Sequence, residues 1–188
     1  MTPELQTDRL HLWPLQLTDS SQTQILFPHW EIVQFLTRQV PWPYPADGAY
    51  SYYKNVALPA IERGDEWHWS IRLKADPDHL IGSIGLFKGE ENNRGFWIGL
   101  PWQRCGLASE ACEAVTDFWF DVLKFERLRV PKAIANTGSR RISEKQKMRI
   151  VKVERREFVS GWLPAEVWEM TAEEWRGLRT ENQGNKSR

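Results

Sequence analysis

The sequence predicts a single α/β domain in which a mixed central sheet is flanked by helices. Three observations carry this expectation. Stretches with strand-like alternation are interleaved with stretches of helical period. The early strands follow one another through tight turns, which suits antiparallel neighbours, whereas one later strand–helix–strand passage suits a parallel crossover. The chain has 188 residues, the length of one domain with a sizeable core. The domain is expected over 1–179, with a polar, disordered tail at 180–188.

Arg9 to Leu15 alternates as a first strand. Thr18-Asp19-Ser20 is a helix start, leading to helical regions through Leu26 and from Trp30 to Leu36. Pro41, Pro43 and Pro45 exclude helix in the next segment and leave Trp42 and Tyr44 in an extended loop. That loop reads either as a connector packed on the core or as a substrate wall. A helix from Asp47 to about Arg63 follows, then a strand Trp67–Leu73, a turn at Asp76-Pro77-Asp78, and strands Leu80–Lys88 and Arg94–Leu100. A helix runs from Ala108 to about Lys124. The strand Leu128–Ala135 is interrupted by Pro131, and Asn136–Ser139 can cap a helix over Arg140–Lys147. An antiparallel pair, Ile150–Val159 with Val167–Met170, leads to a capping-box start at Thr171 and a short helix to about Arg179.

One stretch organises the chain: Trp102-Gln103-Arg104-Cys105-Gly106-Leu107-Ala108. It joins a strand to a helix whose apolar face is Ala108, Ala111, Cys112, Val115, Phe118, Trp119 and Val122. The first N–H groups of such a helix lack internal partners and carry the positive end of its dipole, which suits a pyrophosphate. Gly106 lets a phosphate approach the backbone, Ala108 adds little bulk, and Gln103 and Arg104 supply donors at the rim. In isolation the stretch also reads as an ordinary strand-to-helix turn. It is neither a Walker loop nor the dinucleotide fingerprint.

Lys plus Arg and Asp plus Glu balance at 25 each, so no general attraction to nucleic acid or membrane is expected. No apolar run approaches a membrane span, and no signal pattern opens the chain. Cys105 and Cys112 show neither metal-ligand spacing nor a disulfide framework. The composition reads as a soluble, cytoplasmic protein without a metal. The eleven tryptophans exceed what a core of this size usually holds, and the surplus would suit a ligand wall or a homodimer interface.

The order of elements, with Gln103-x-x-Gly106-x-Ala108 after the fourth strand, resembles the GNAT superfamily of acetyl-CoA-dependent N-acetyltransferases. Thr7-Asp8-Arg9-Leu10 opening a Leu-x-Leu strand, and Asn136-x-x-Ser139-Arg140-Arg141-x-x-Glu144-Lys145, are similar to its RimJ/RimL-like branch, which acetylates ribosomal-protein N-termini. The resemblance spans about Thr7 to Glu173. It implies the acyl-CoA N-acyltransferase fold, a partly splayed sheet with acetyl-CoA between the 94–100 and 128–135 strands, and direct acetyl transfer to a primary amine in a ternary complex.

Four tasks follow from that resemblance. Backbone N–H groups of Cys105, Gly106, Leu107 and Ala108 would take the pyrophosphate, and Asn136 the pantetheine arm. A backbone N–H of Ile98, Gly99 or Leu100 would face the oxyanion, with Gly99 a plausible bulge residue. The leaving thiolate needs a proton. Ser143 stands where many family members have a tyrosine, so Ser139 is the expected acid and Ser143 the second choice; both also read as capping or surface serines. The amine must lose a proton, for which Glu66, His68 and Glu91 are candidates, each equally readable as a solvated charge. The family's glycine after Glu-Lys-x is replaced by Lys147, which either adopts a left-handed conformation at a cost of about 1 kcal/mol or marks a different helix end.

The acceptor is read as an amine, either a protein N-terminus or a small molecule. Trp42–Tyr44 and Trp67–Trp69 are candidate walls for it. The missing tyrosine and unassigned base leave open a non-catalytic acyl-CoA-binding or sensor module on the same fold. A nucleotide-binding protein is disfavoured because neither nucleotide fingerprint is complete.

Overall fold

Alternating apolar residues build the first sheet one strand at a time. In the computed structural model, which describes residues 1–186, β1 (Leu5–Gln6) and β2 (Leu10–Pro14) open the chain. Leu10 and Leu12 turn into the core and Trp13 turns outward, as period two requires. Helices α1 (Ser20–Leu26) and α2 (Trp30–Val33) follow. After the proline segment come α3 (Gly48–Tyr52), a wider π-type turn and α4 (Leu58–Arg63). Strands β3 (Glu66–Leu73), β4 (Asp76–Phe87) and β5 (Arg94–Ile98) complete a five-stranded antiparallel sheet in the order β1-β2-β3-β4-β5.

Helix α5 (Leu107–Asp117) crosses this sheet and ends in a second π-type turn, Phe118–Val122. Most of its expected apolar face is buried, with Ala111, Cys112 and Val115 fully enclosed in the core that holds Trp69, Trp119 and Phe120, but Val122, at the end of the π-type turn, is 63% exposed. Each large side chain enclosed there contributes about 1.5–3 kcal/mol. A second sheet holds β6 (Arg127–Ala133), β7 (Arg149–Phe158) and β8 (Gly161–Thr171) in the order β6-β8-β7, also antiparallel. Helix α6 (Thr137–Lys145) links β6 to β7, and α7 (Ala172–Lys186) closes the described chain.

The facing edges of the two sheets are β5 and β6. The crossover between them suited a parallel pair, but among the described residues no ladder joins the two strands. They diverge from a single junction beside Asn93. Its backbone N–H donates to the Arg129 carbonyl at 2.7 Å, and its side-chain oxygen accepts the Arg129 N–H at 2.7 Å. Beyond that junction the strands splay into a V. Pro131 fits within β6 because β6 is an edge and its missing N–H breaks no ladder.

Several boundaries differ from the sequence expectation. The β3–β4 turn is Lys74–Ala75, since Leu73 pairs with Asp76. Asp76–Asp78 therefore lies inside β4, next to a register shift at Arg72 that absorbs the extra length. Helix α2 stops at Val33, α6 spans 137–145 rather than 140–147, and β8 is longer than Val167–Met170. The last helix, expected to end near Arg179, runs to Lys186, so residues 180–186 of the expected disordered tail are helical; residues 187 and 188 lie outside the described residues.

Candidate active site

The V between β5 and β6 opens into a groove of about 1470 Å³. The loop before α5, the start of α6, residues 31–39 and the end of β7 border it.

Strand β5 ends cleanly on this groove. The β4–β5 register runs unbroken from Leu86↔Arg94 to Gly82↔Ile98, so Gly99 is not a bulge. It follows the strand, its N–H donates to Ile81 O at 2.8 Å, and a Cβ there would meet the Trp102 ring at 3.0 Å. Antiparallel alternation then turns the Ile98 N–H away from β4, toward the groove. Ile98 lines the groove; Gly99 and Leu100 do not.

The loop is held from both sides. Gln103 Nε2 donates to Ile98 O at 3.0 Å. Arg104 and Gly106 take left-handed conformations, φ 62° and 79°. Arg9 Nη1 donates to Cys105 O at 3.0 Å, while Arg9 Nε and N–H donate to the Glu110 carboxylate at 2.7 and 2.9 Å. Thr7 Oγ1 donates to the same carboxylate. Burial pushes the Glu110 pKa up, but these hydrogen bonds outweigh it and hold the group below the usual range. The Thr7–Leu10 motif is therefore a brace for the loop, anchored on the first turn of α5. The first helical bond is Glu110 N–H to Gly106 O at 3.1 Å. The N–H groups of Leu107, Ala108 and Ser109 precede it and point past the helix end. Cationic Arg104, Arg141 and Lys145 line the same region, and Cys105 is exposed just outside it.

On the opposite wall Asn136 caps α6 by accepting the Ser139 N–H at 3.2 Å. Ser139 lines the groove beside Lys132, whose Nζ donates to Ser139 Oγ at 2.8 Å and to Ser139 O at 2.6 Å. Lys132 also lines the groove and is only 5% exposed. Burial drives its ammonium down to about 7, and the Arg94 charge pushes the same way. Arg94 is equally buried, on Thr116 Oγ1 at 2.5 Å, Cys112 O at 3.3 Å and Gln146 Oε1 at 2.8 Å.

The other expected residues stand apart from the groove. Ser143 faces inward from α6, fully buried, and its hydroxyl has no partner among the described residues. His68 is enclosed behind β4, bonded to Glu66 at 2.6 Å and packed on Phe87. Glu91 faces Arg129 and Arg156. Trp67 and Trp69 are core, and Tyr44 packs edge-on to Phe27, so neither tryptophan forms an acceptor wall. Sequence reasoning missed Lys132, Arg94 and Asn93, which carry no motif; only Lys132 leaves a signal, a charged residue inside the apolar pattern of its strand, whereas Asn93 and Arg94 stand in and beside a polar turn. It also missed Glu31 and Glu157, the carboxylates on the groove lining.

The sequence profile of the acetyltransferase (GNAT) domain matches residues 9–149. The chain belongs to the GNAT acetyltransferase family. Acetyl-CoA is that family's acetyl donor. The chain is 31% identical over 90 residues to "Probable N-acetyltransferase YjcK" of Bacillus subtilis (strain 168), a match covering 45% of this chain and 49% of that protein. It thus spans about half the length of that curated relative. Among solved structures, a GNAT-family acetyltransferase from Bacillus anthracis aligns with TM-score 0.75 at 18% identity, over 91% of this chain and 99% of the other. The ribosomal L7/L12 α-N-protein acetyltransferase RimL, in complex with coenzyme A, aligns with TM-score 0.75 at 13% identity, over 90% and 98%. Among the described residues, no helix is long and apolar enough to cross a membrane.

The residues present fit the donor. The left-handed Gly106 turn, the free N–H groups opening α5 and the cationic rim suit a pyrophosphate.

Proposed function

We propose that this GNAT protein transfers acetyl from acetyl-CoA to a primary amine in a ternary complex. The observation that carries the reading is the splayed β5–β6 groove with the Gly106 turn at one side and the Ser139 hydroxyl at the other. The N–H groups from Cys105 to Ala108 hold the pyrophosphate, with Arg104 and Gln103 at its border, and Asn136 orients the pantetheine arm through its free amide NH₂. The Ile98 N–H faces the developing oxyanion, a donor worth roughly 3–4 kcal/mol of barrier. Ser139 gives a proton to the departing sulfur. The donor, when bound, supplies the activated acetyl group.

Glu31, on the α2 wall, receives the proton of the amine. Glu157 is the weaker candidate because Arg38 holds it at 3.2 Å. An α-amine, with a free pKa of about 7.7–8.0, needs less help than a lysine at about 10.4. A protein or peptide N-terminus is therefore the favoured acceptor, in keeping with the RimJ/RimL-like motifs. Two free cysteines, Cys105 and Cys112, suit a reducing cytoplasm.

The test is release of free CoA thiol across a panel of α-amine peptides and small amines. Turnover with α-amine peptides supports the reading. Tight acetyl-CoA binding without turnover on any amine would favour a binding or sensor module instead.

A further inference from the structure

Ser139 alone is a weak proton donor, and the groove supplies it with a neighbour that the family resemblance does not. Lys132 sits on β6 with its ammonium on both the hydroxyl and the carbonyl of Ser139. The groups around it come from every adjoining element. Arg94 approaches from β5, Cys112 from α5, and the Phe96 ring lies 6.0 Å beneath the ammonium. Glu166 is directly opposite on β8, but Arg140 holds its carboxylate at 2.9 and 3.2 Å. Among the described residues neither Lys132 nor Arg94 has a carboxylate within salt-bridge distance. Two buried cations facing one groove without an anion are costly. A methionine at 132 would fill the space without that cost. Such an arrangement favours a negative charge appearing in the groove, and a departing thiolate is one.

Resting on the acetyl-CoA reading above and deepening it, we propose that Lys132 is the positioning residue and proton reservoir for Ser139. As the new amide forms, the C–S bond breaks and its electron pair stays on sulfur. Ser139 Oγ–H gives its proton to that sulfur and takes one from Lys132 Nζ. Lys132 is left as a neutral amine and is recharged by a proton from solvent through the groove. The proton lost by the acceptor amine leaves separately, so charge balances over the cycle. An ammonium that titrates near the working pH suits this exchange.

Free coenzyme A is the probe, so no acceptor needs to be known. Its thiol is titrated on the protein by ultraviolet thiolate absorbance, against desulfo-CoA as a blank. The expected result is a thiolate fraction about tenfold that of free CoA near pH 6, where Lys132 is charged, converging on that of free CoA as the ammonium discharges above pH 7. Lys132→Met should return the titration to that of free CoA while leaving the CoA dissociation constant at pH 6 within about threefold. Lys132→Arg, which keeps the charge, should retain most of the shift. Circular dichroism checks that both variants fold. A wild-type thiol that titrates like free CoA, or a shift that survives Lys132→Met, would overturn the proposal and leave the cofactor reading intact. Failure of wild-type protein to bind CoA would overturn both.

Discussion

Asn93 and Arg129 join the two sheets by a reciprocal pair of hydrogen bonds, each 2.7 Å long, at the point where β5 and β6 part. The Asn93 amide NH₂ also holds the preceding loop through Phe87 O at 3.2 Å and Gly89 O at 2.7 Å. One buried side chain therefore fixes both the apex of the V and the loop that leads into it. Asn93→Ala should cost about 2–4 kcal/mol, because it strands a buried N–H and two carbonyls. Urea denaturation checks this; a cost within 0.5 kcal/mol, the range of an ordinary surface substitution, would show that the apex is held by other contacts.

The end of α6 carries a strained residue that can be relieved. Lys147 has φ 57°. Its N–H donates to Glu144 O, and the Met148 N–H donates to Ser143 O, both at 3.0 Å. This is the Schellman pattern with lysine at the position that favours glycine. Lys147→Gly should stabilise the protein by about 1 kcal/mol, raising Tm by roughly 2–4 °C. A lowered Tm would contradict the assignment.

Of the two readings the sequence left open for Lys147, the left-handed one is adopted, because a glycine position in a known pattern has a backbone meaning that survives its substitution. The same holds for Gly106, for Asn136 as a cap, and for the apolar face of α5. What was not legible came from contacts between distant segments. Nothing local marks Glu110 as the anchor of Thr7 and Arg9. The enclosure of His68 and Ser143 depends on which face of β3 and α6 the core selects. Proline in β6 was read as an interruption because edge position is a property of the sheet, not of the strand.

Lys132 gives stability a distinctive pH dependence. Its pKa is about 7 in the fold and about 10.4 in an unfolded chain. Between these values the unfolded chain holds a proton that the folded one has released, so stability rises with pH through that window. Below about pH 7 both states are protonated and the burial penalty is undiminished. Lys132→Met should therefore be more stable than wild type at pH 6. The difference should shrink by up to about 1.4 kcal/mol per pH unit above 7. Denaturation at pH 6, 8 and 9 tests it; a constant difference would mean that Lys132 keeps its proton throughout.

Glu110→Gln should loosen the brace without removing α5. It weakens the bonds from Thr7 and Arg9 and should cost about 1–2 kcal/mol, at the lower end because Arg9 is half exposed. Acetyl-CoA affinity should fall along with stability, since the same guanidinium holds the Cys105 carbonyl. Isothermal titration checks the coupling; unchanged affinity would separate the brace from the loop's binding role.

The most direct test of the central claim is a thermal shift of wild type and Gly106→Glu with acetyl-CoA, against ATP and NADH. At about a hundred times its dissociation constant a ligand adds roughly 2.7 kcal/mol, or about 5–10 °C for a chain of this size. The account predicts that shift for wild type with acetyl-CoA alone. It predicts none for Gly106→Glu, where bulk, an added negative charge and a left-handed backbone at φ 79° meet in the loop. No shift for wild type, or an equal shift for both proteins, would contradict the assignment of the Gln103–Ala108 loop as the pyrophosphate site.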